Sequence, residues 1–445
     1  MGAADRRPGA AGGGQRWSRG VRPGAPGSRT TRLELYYDVV FVFAFLTVTT
    51  VTSSRPSVPN LIGCLLVLSL LWWCWTGFAI VGNAVRTDQG VLPLIGFVTL
   101  AATFLLALSM PKAFVDRPGG LNGPLVFAGC YFLVRMSQLS VLGWVEWPDP
   151  ARRRRWLLLA SPPVIATALL VTAALVPHRV ADDAAERWLR LLLWSSALLV
   201  EYGAGVLLRG AYWAVLSAGH WAERHALIVL VALGESVIAL GFGPRFVTEL
   251  PLTWPVMAAA VLGIAVVSAL WWAYFDTLAL AMEQALHGIR EPAARARLAR
   301  DAYTYLHLPL IAGIIFVALG LKDLLAEGAE PGTPAWGEPL GGFWVLVLHG
   351  GVAVYLLGLA GLGWRTWGEV RWVPLATVVL LAALGPLSSR VPELAAVGLL
   401  ALVCGASTGA QTMVDGPRRR RTRQVALAEQ EASEAEQSRW RGEHL

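Results

Sequence analysis

A helix that crosses a bilayer needs about 20 mainly apolar residues, because the hydrocarbon core is ~30 Å thick and a helix rises ~1.5 Å per residue. Runs of this kind recur along the chain at residues 35–52, 61–81, 91–110, 124–145, 157–176 and 189–208. A second set follows at 226–243, 254–278, 303–320, 342–361, 372–388 and 391–411. Backbone in hydrocarbon must satisfy its own hydrogen bonds. The twelve runs therefore predict an all-α fold, a polytopic membrane helix bundle of about twelve transmembrane helices. Pro162, Pro163, Pro255 and Pro309 fall in the opening turns of these runs, where a missing N–H costs little.

Composition agrees. The 445 residues are 55% hydrophobic and 15% charged, whereas a soluble domain has about 45–50% and about 25%. That balance excludes a soluble enzyme, a coiled coil and a disordered chain, and the 20 tryptophans suit two membrane–water belts. Cys64, Cys74, Cys130 and Cys404 all lie in apolar runs, without the spacing of a disulfide framework or a zinc site.

The formal charge of +7 is explained by where the arginines lie. With the N-terminus inside, 27 of the 37 Lys and Arg fall on the inner segments and 9 on the outer ones, Arg135 alone lying within a run. This bias predicts both termini in the cytosol. Membrane lipids, not nucleic acid, are then the partners of the basic residues. Residues 1–32 form an Arg/Gly/Pro-rich tail too polar to fold, and residues 413–445 a polar tail, either a short helix or disordered. No cleavable signal peptide is visible. The sequence leaves a homo-oligomer open.

The two halves echo one another, which divides the chain into repeats at 33–208 and 209–412. Glu34-Leu-Tyr-Tyr-Asp38 opens the first run as Glu223-Arg-His-Ala-Leu227 opens the seventh. Leu71-Trp72-Trp73 returns as Leu270-Trp271-Trp272, and Leu92-Pro93-Leu94-Ile95 as Leu308-Pro309-Leu310-Ile311. Six spans per copy is an even number, so the two six-helix repeats would be parallel, with a site expected in a cavity between them.

These segments also carry a resemblance. The stretch Glu34-Leu-Tyr-Tyr-Asp-Val-Val-Phe-Val42 is similar to the opening signature of the bacterial low temperature requirement A (LtrA) family, with Tyr36-Tyr37 in place of two Phe. His220-Trp-Ala-Glu-Arg224 running on to Leu233-Gly-Glu-Ser236 resembles its second signature. Trp271-Trp-Ala-Tyr-Phe-Asp276 and His307-Leu-Pro-Leu310 through Gly313 resemble two more. His225 departs from the family's usual aromatic or small residue. The resemblance implies a polytopic inner-membrane protein and assigns no biochemical activity.

Ionisable groups inside apolar runs cost about 2.5–3.5 kcal/mol each on insertion scales, so they are candidates for function. Arg135 lies midway along its run. Glu235, eleven residues beyond Arg224, is placed ~16 Å deep if Arg224 marks the interface. Arg135 should therefore pair with Glu235 or Glu201, and these residues with Ser236 form a candidate substrate or ion pathway. The alternative is a register device that locks two helices together. Asp38, Asp276 and His307 form a second set, readable as a proton relay or inner mouth, or as caps and loop contacts. His349 reads as a lone hydrogen-bonded histidine. His220 and Glu223 have a spacing seen in metal sites, but no further ligand lies near them. Segment 281–300 reads as a surface helix or a connecting loop.

No phosphate-binding loop, nucleophile elbow, zincin motif or dinucleotide fingerprint occurs, so no cofactor, metal or catalytic residue is expected. Transport of an unknown small solute or ion leads. A non-catalytic scaffold or sensor and an intramembrane lipid-modifying enzyme are the alternatives.

Overall fold

The computed structural model of the protein describes residues 29–115, 119–146, 150–180, 182–208, 215–241, 253–328, 334 and 336–444. Most of the N-terminal tail expected to be unfolded lies outside these residues. The first six apolar runs fall in α1 (Arg32–Ser53), α2 (Val58–Ala84), α3 (Leu92–Ser109), α4 (Gly123–Glu146), α5 (Pro150–Leu175) and, after a single turn α6 (Pro177–Val180), α7 (Asp183–Leu207). The second six fall in α8 (Ala218–Gly241), α9 (Trp254–Phe275), α12 (His307–Gly328), α13 (Gly342–Trp367), α14 (Trp372–Ser388) and α15 (Glu393–Val414). Two short helices, α10 (Leu278–Gly288) and α11 (Pro292–Leu298), and a π-helical turn over Ala299–Tyr305 link α9 to α12. Helix α16 (Gly416–His444) ends the chain.

Among the described residues, 11 helices are long and apolar enough to cross a membrane; the twelfth run, α14, has 17 residues. Seventeen residues reach about 25 Å, the short end of what a bilayer needs. The chain is thus an all-α polytopic bundle. Its outward faces are apolar: Leu94, Leu199, Val261 and Leu402 are each more than 60% exposed, an arrangement lipid tolerates and water does not.

Local chemistry sets the helix ends. At α1 the Thr31 hydroxyl accepts from the Glu34 N–H while the Glu34 carboxylate accepts from the Thr31 N–H at 2.8 Å, a reciprocal cap. Ser57 caps α2 in the same region of the bundle where α1 ends. Helix α13 closes at Gly368, whose φ of 71° places it in the left-handed region, its N–H donating to the Trp364 carbonyl.

Each half has the same chain of neighbours. Helix α1 packs on α2 and α3, α3 on α4, α4 on α5, α5 on α7, and α7 back on α2. Helix α8 likewise packs on α9 and α12, α12 on α13, α13 on α14, α14 on α15, and α15 back on α9. The halves meet where α1 and α2 pack on α8 and α12, so α1 and α8, the opening helices of the two halves, face each other. Helices α12 and α13 approach each other closely. A Cβ placed on Gly313 would lie 2.6 Å from the Gly351 carbonyl oxygen, so only glycine fits there.

Three expectations need correction. Helix α5 begins at Pro150 and takes in the arginines at 153–155, which leaves Pro162 and Pro163 inside the helix. Pro162 cannot donate to the Leu158 carbonyl, and the Ser161 hydroxyl donates to it instead at 2.9 Å. Helix α8 begins at Ala218, ahead of Arg224, and Arg224 is buried against Asp38 of α1 instead of opening the helix. Segment 281–300 is not a solvated loop: Ala281, Met282 and Leu286 of α10 are buried, and α10 packs on α8 and α13. The C-terminal tail is helical, as one of the two readings had it.

Gly313→Ala should force α12 and α13 apart and cost about 1–3 kcal/mol, the usual penalty of overpacking. Gly409→Ala, where nothing lies within 4 Å of the added Cβ, should be close to neutral. Thermal unfolding of the two variants in detergent checks this; equal melting temperatures would contradict the close approach.

Candidate functional site

The capping box that starts α1 also delivers a carboxylate to the seam between the halves. Glu34 and Asp38 lie one helical turn apart, as do His220 and Arg224 on α8, so an acidic face meets a basic one. The Arg224 guanidinium donates to both Asp38 oxygens, at 2.6 and 2.9 Å, and to the Glu34 carbonyl oxygen at 3.0 Å. Trp75 of α2 donates from its indole to Asp38 at 2.9 Å, and its ring lies 5.4 Å from the guanidinium carbon. His220 donates from Nε2 to Glu34 at 3.0 Å and accepts at Nδ1 from the Asn83 amide at 3.3 Å. Asn83 also donates to the Ser217 carbonyl and accepts from the Leu216 N–H, which ties the loop before α8 to the end of α2. Glu34, Asp38, His220 and Arg224 are all buried. Gly82 makes the arrangement fit, since a Cβ there would lie 1.7 Å from the Glu34 carboxylate.

Behind this junction sits an imidazole–aromatic cluster. His307 donates from Nδ1 to the Ala302 carbonyl at 2.9 Å, inside the π-helical turn, so its Nε2 accepts from the Tyr274 hydroxyl at 2.8 Å. His225 donates from Nδ1 to the Trp221 carbonyl at 2.8 Å. Its Nε2 therefore carries a bare lone pair, and this atom, like the Tyr303 hydroxyl, has no partner in the buried interior. The His225 ring lies 5.3 Å from His307, 5.1 Å from Tyr303 and 4.9 Å from Trp75. A buried acceptor without a donor costs free energy, so such an atom is a place for a proton or a water.

Arg135 pairs with Glu201, at 3.3 Å, and not with Glu235. Glu201 also accepts from Trp73 at 2.7 Å and from the Tyr131 hydroxyl, while Arg135 donates to Gln138 at 2.9 Å. This cluster joins α2, α4 and α7 inside the first half, away from the seam. Its carboxylate is fully occupied, and Gly77 leaves the space that Gln138 and Arg135 fill.

Glu235 lies in the last third of α8 beside Thr49, which lies in the last third of α1 and donates to it at 2.8 Å. Because α8 starts at Ala218, Glu235 lies beyond the middle of its helix and, unlike Glu201, is not paired with Arg135. The second Glu235 oxygen has no hydrogen-bond partner although the residue is buried. Lys322 of α12 donates to Thr50, the residue next to Thr49, at 2.6 Å. Ser236 makes only a long contact, 3.4 Å, to the Ile314 carbonyl.

At this same end of the bundle a cavity of about 540 Å³ is lined by residues of α1, α2 and α7 and by the turn after α3. Val48, the neighbour of Thr49, and Thr52, about one turn further along α1, form part of its wall. All its lining residues belong to the first half, so this cavity is not between the halves as expected. Asp276 is likewise not grouped with Asp38. It accepts from Arg419 at 2.7 and 2.9 Å and from Arg423 at 2.5 Å, both on α16, and the Arg371–Asp415 pair at 2.6 Å secures the start of that helix. The reason is local: Asp276 caps the end of α9 on the face where the basic helix lies. His349 is bonded to Ser388 at 3.1 Å, as a lone histidine would be.

The sequence reading noted His220, Arg224 and His225 but did not bring them together with Asp38, and it missed Trp75. The signal for two of them was present, since an acid–x3–acid opening on α1 matches a base–x3–base opening on α8. Among the described residues no group of three or more His, Cys, Asp or Glu could hold a metal ion.

A family model described as bacterial low temperature requirement A protein matches residues 29–408. The uncharacterized protein RA0937 of Rhizobium meliloti (strain 1021) is 28% identical over 382 residues, covering 83% of this chain and 85% of that protein. No solved structure matches.

Asp38→Asn should destabilise the protein by about 3–5 kcal/mol, because it strands the buried Arg224 charge. The double variant Asp38→Leu/Arg224→Met should recover most of that loss. Denaturation in detergent checks this, and an additive double variant would contradict direct pairing. Asp276→Ala should free α16, which a faster proteolytic release of the C-terminal helix would report; an unchanged cleavage rate would count against the clamp.

Proposed function

The chain belongs to the bacterial low temperature requirement A (LtrA) family, and we propose that it is a multi-pass transporter of a small solute or ion, worked by the seam between α1 and α8. One observation carries the reading. Glu235, buried with one bare carboxylate oxygen, sits one residue from the wall of a cavity, while the other end of the same seam is closed by Asp38 and Arg224.

A carboxylate with a single donor in a water-poor interior is a binding place for a proton or a small cation. Binding there changes the charge between α1 and α8 and so changes the balance of forces along the seam. The paired charges at the other end can serve as a closed gate, because breaking them is costly until a partner or a proton replaces the lost interaction. His225, with its bare Nε2 behind that gate, supplies a proton acceptor, and His307 with Tyr274 continues the chain of exchangeable groups. The shared neighbour pattern of the two halves supports the parallel-repeat reading, in which one half moves against the other. By the distribution of arginines the gate faces the cytosol of the inner membrane, with both termini on that side.

A second reading, a scaffold or sensor without transport, is favoured by the tight packing elsewhere: the cavities beside Arg135 and beside Gly96 measure only about 40 and 20 Å³. An enzyme acting on lipid is less well supported, because Asp276 is held by Arg419 and Arg423 and lies apart from Asp38.

The protein reconstituted in liposomes on a solid support should give a transient current when the external pH is stepped, because a proton enters the membrane field to reach Glu235. Glu235→Gln should abolish that current while leaving the elution profile and melting temperature intact. A current of undiminished size in Glu235→Gln, or none in the unmodified protein, would contradict the proposal.

A further inference from the structure

We infer that the 540 Å³ cavity is a binding site for a single-chain amphipathic anion, an acidic head on an apolar tail. The inference concerns binding and does not depend on transport.

The cavity is two-faced. Its inner wall is apolar: Val48, Val67, Cys64, Met110 and Leu191. Its mouth carries Arg55, Arg187 and Arg190. The volume lies within the range of about 300–1,000 Å³ typical of pockets for small organic molecules. Only one carboxylate, Glu186, is among the lining residues, and it is already paired with Arg190, which also donates to the Phe114 carbonyl. Among the described residues no carboxylate pairs with Arg55 or Arg187, and both are exposed. The mouth therefore presents two guanidiniums without counter-charges and one partly engaged.

Guanidinium groups recognise carboxylate and phosphate through paired N–H donors, which a neutral or cationic head cannot use. Asn60 at the same rim adds an uncharged polar group. A free inorganic anion would satisfy the rim but leave the apolar wall without a partner. An uncharged alkane would do the reverse. A ligand that does both has an acidic head at the level of Arg55 and Arg187 and a flexible apolar chain reaching toward Val48 and Val67, next to Thr49 and Glu235. The four elements that form the cavity come from one half of the bundle, so the site does not need the seam to open or close.

Decyl phosphate is the probe. The full chain in phosphatidylcholine nanodiscs should bind it saturably, above the partition into empty nanodiscs, and gain melting temperature as it binds. Decanol and inorganic phosphate, each with half of the recognition, should bind roughly tenfold or more weakly. Arg55→Gln and Arg187→Gln, both at exposed positions where folding is safe, should each weaken decyl phosphate by roughly tenfold. Val67→Trp, which fills the inner wall, should block it with both arginines in place. Binding that is unsaturable, equal to empty nanodiscs or indifferent to both arginine variants would overturn the inference. Inorganic phosphate binding as tightly as decyl phosphate would also overturn it, by showing a site for the anion alone. The Glu235→Gln variant should bind decyl phosphate normally, which keeps failure here separate from failure of the transport reading.

Discussion

The arrangement of this bundle depends on one buried ion pair, Arg224 on Asp38, with Trp75 bonded to the same carboxylate. Few interactions make such demands on their surroundings. Two charges removed from water repay their desolvation only when every lone pair and N–H direction is matched. The structure meets most of that demand with the Glu34 carbonyl, the Trp75 indole and the Trp75 ring face, while the Arg224 Nε has no partner. The pair adds little net stability against a well-packed apolar alternative, and its value lies in fixing one register of α1 against α8. Everything nearby is set by that register: the Glu34–His220 bond, the Asn83 anchor on the loop before α8, and the placing of Glu235 against Thr49.

A seam that is locked at one end and carries an incompletely satisfied carboxylate at the other is asymmetric in a way that packing alone does not require. Apolar helices held together in a bilayer gain from close contact and small residues, as Gly313 and Gly351 do between α12 and α13. The α1–α8 contact has taken on charges instead. The Arg135–Glu201 cluster shows the contrast. It is buried and just as charged, but its carboxylate accepts from Tyr131, Trp73 and Arg135, so it has no capacity left for a ligand or a proton. The two buried carboxylates, Glu201 and Glu235, thus differ in whether the hydrogen-bond inventory closes.

Fold class was legible because it rests on run length, a property the bilayer imposes on every spanning helix. All twelve runs lie in helices, and the largest differences, at the starts of α5 and α8 and the end of α12, arise where polar residues open or close a helix. There hydropathy falls although the backbone continues. That same difference misplaced Glu235: with Arg224 taken as the interface, its depth was counted from a residue that is itself buried. Pairing of Arg135 with a carboxylate followed from the cost of an isolated charge, while the choice of Glu201 over Glu235 depended on helix packing that the sequence does not encode locally. Asp276 was beyond reach for another reason, since its partners lie more than a hundred residues away on α16. The bare Nε2 of His225 could not be read at all, because it depends on which carbonyl the other ring nitrogen meets.

The central claim is that the α1–α8 seam is held closed by charge and can part. Spin labels on Tyr36→Cys and Glu223→Cys, in a chain whose four buried or part-buried cysteines have been replaced, would report the distance between the openings of the two helices. The account predicts a single short distance in the otherwise unmodified protein and a second, longer population when Asp38→Asn is added. One unchanged distance in both proteins, with the fold retained, would contradict it and leave a rigid bundle in its place.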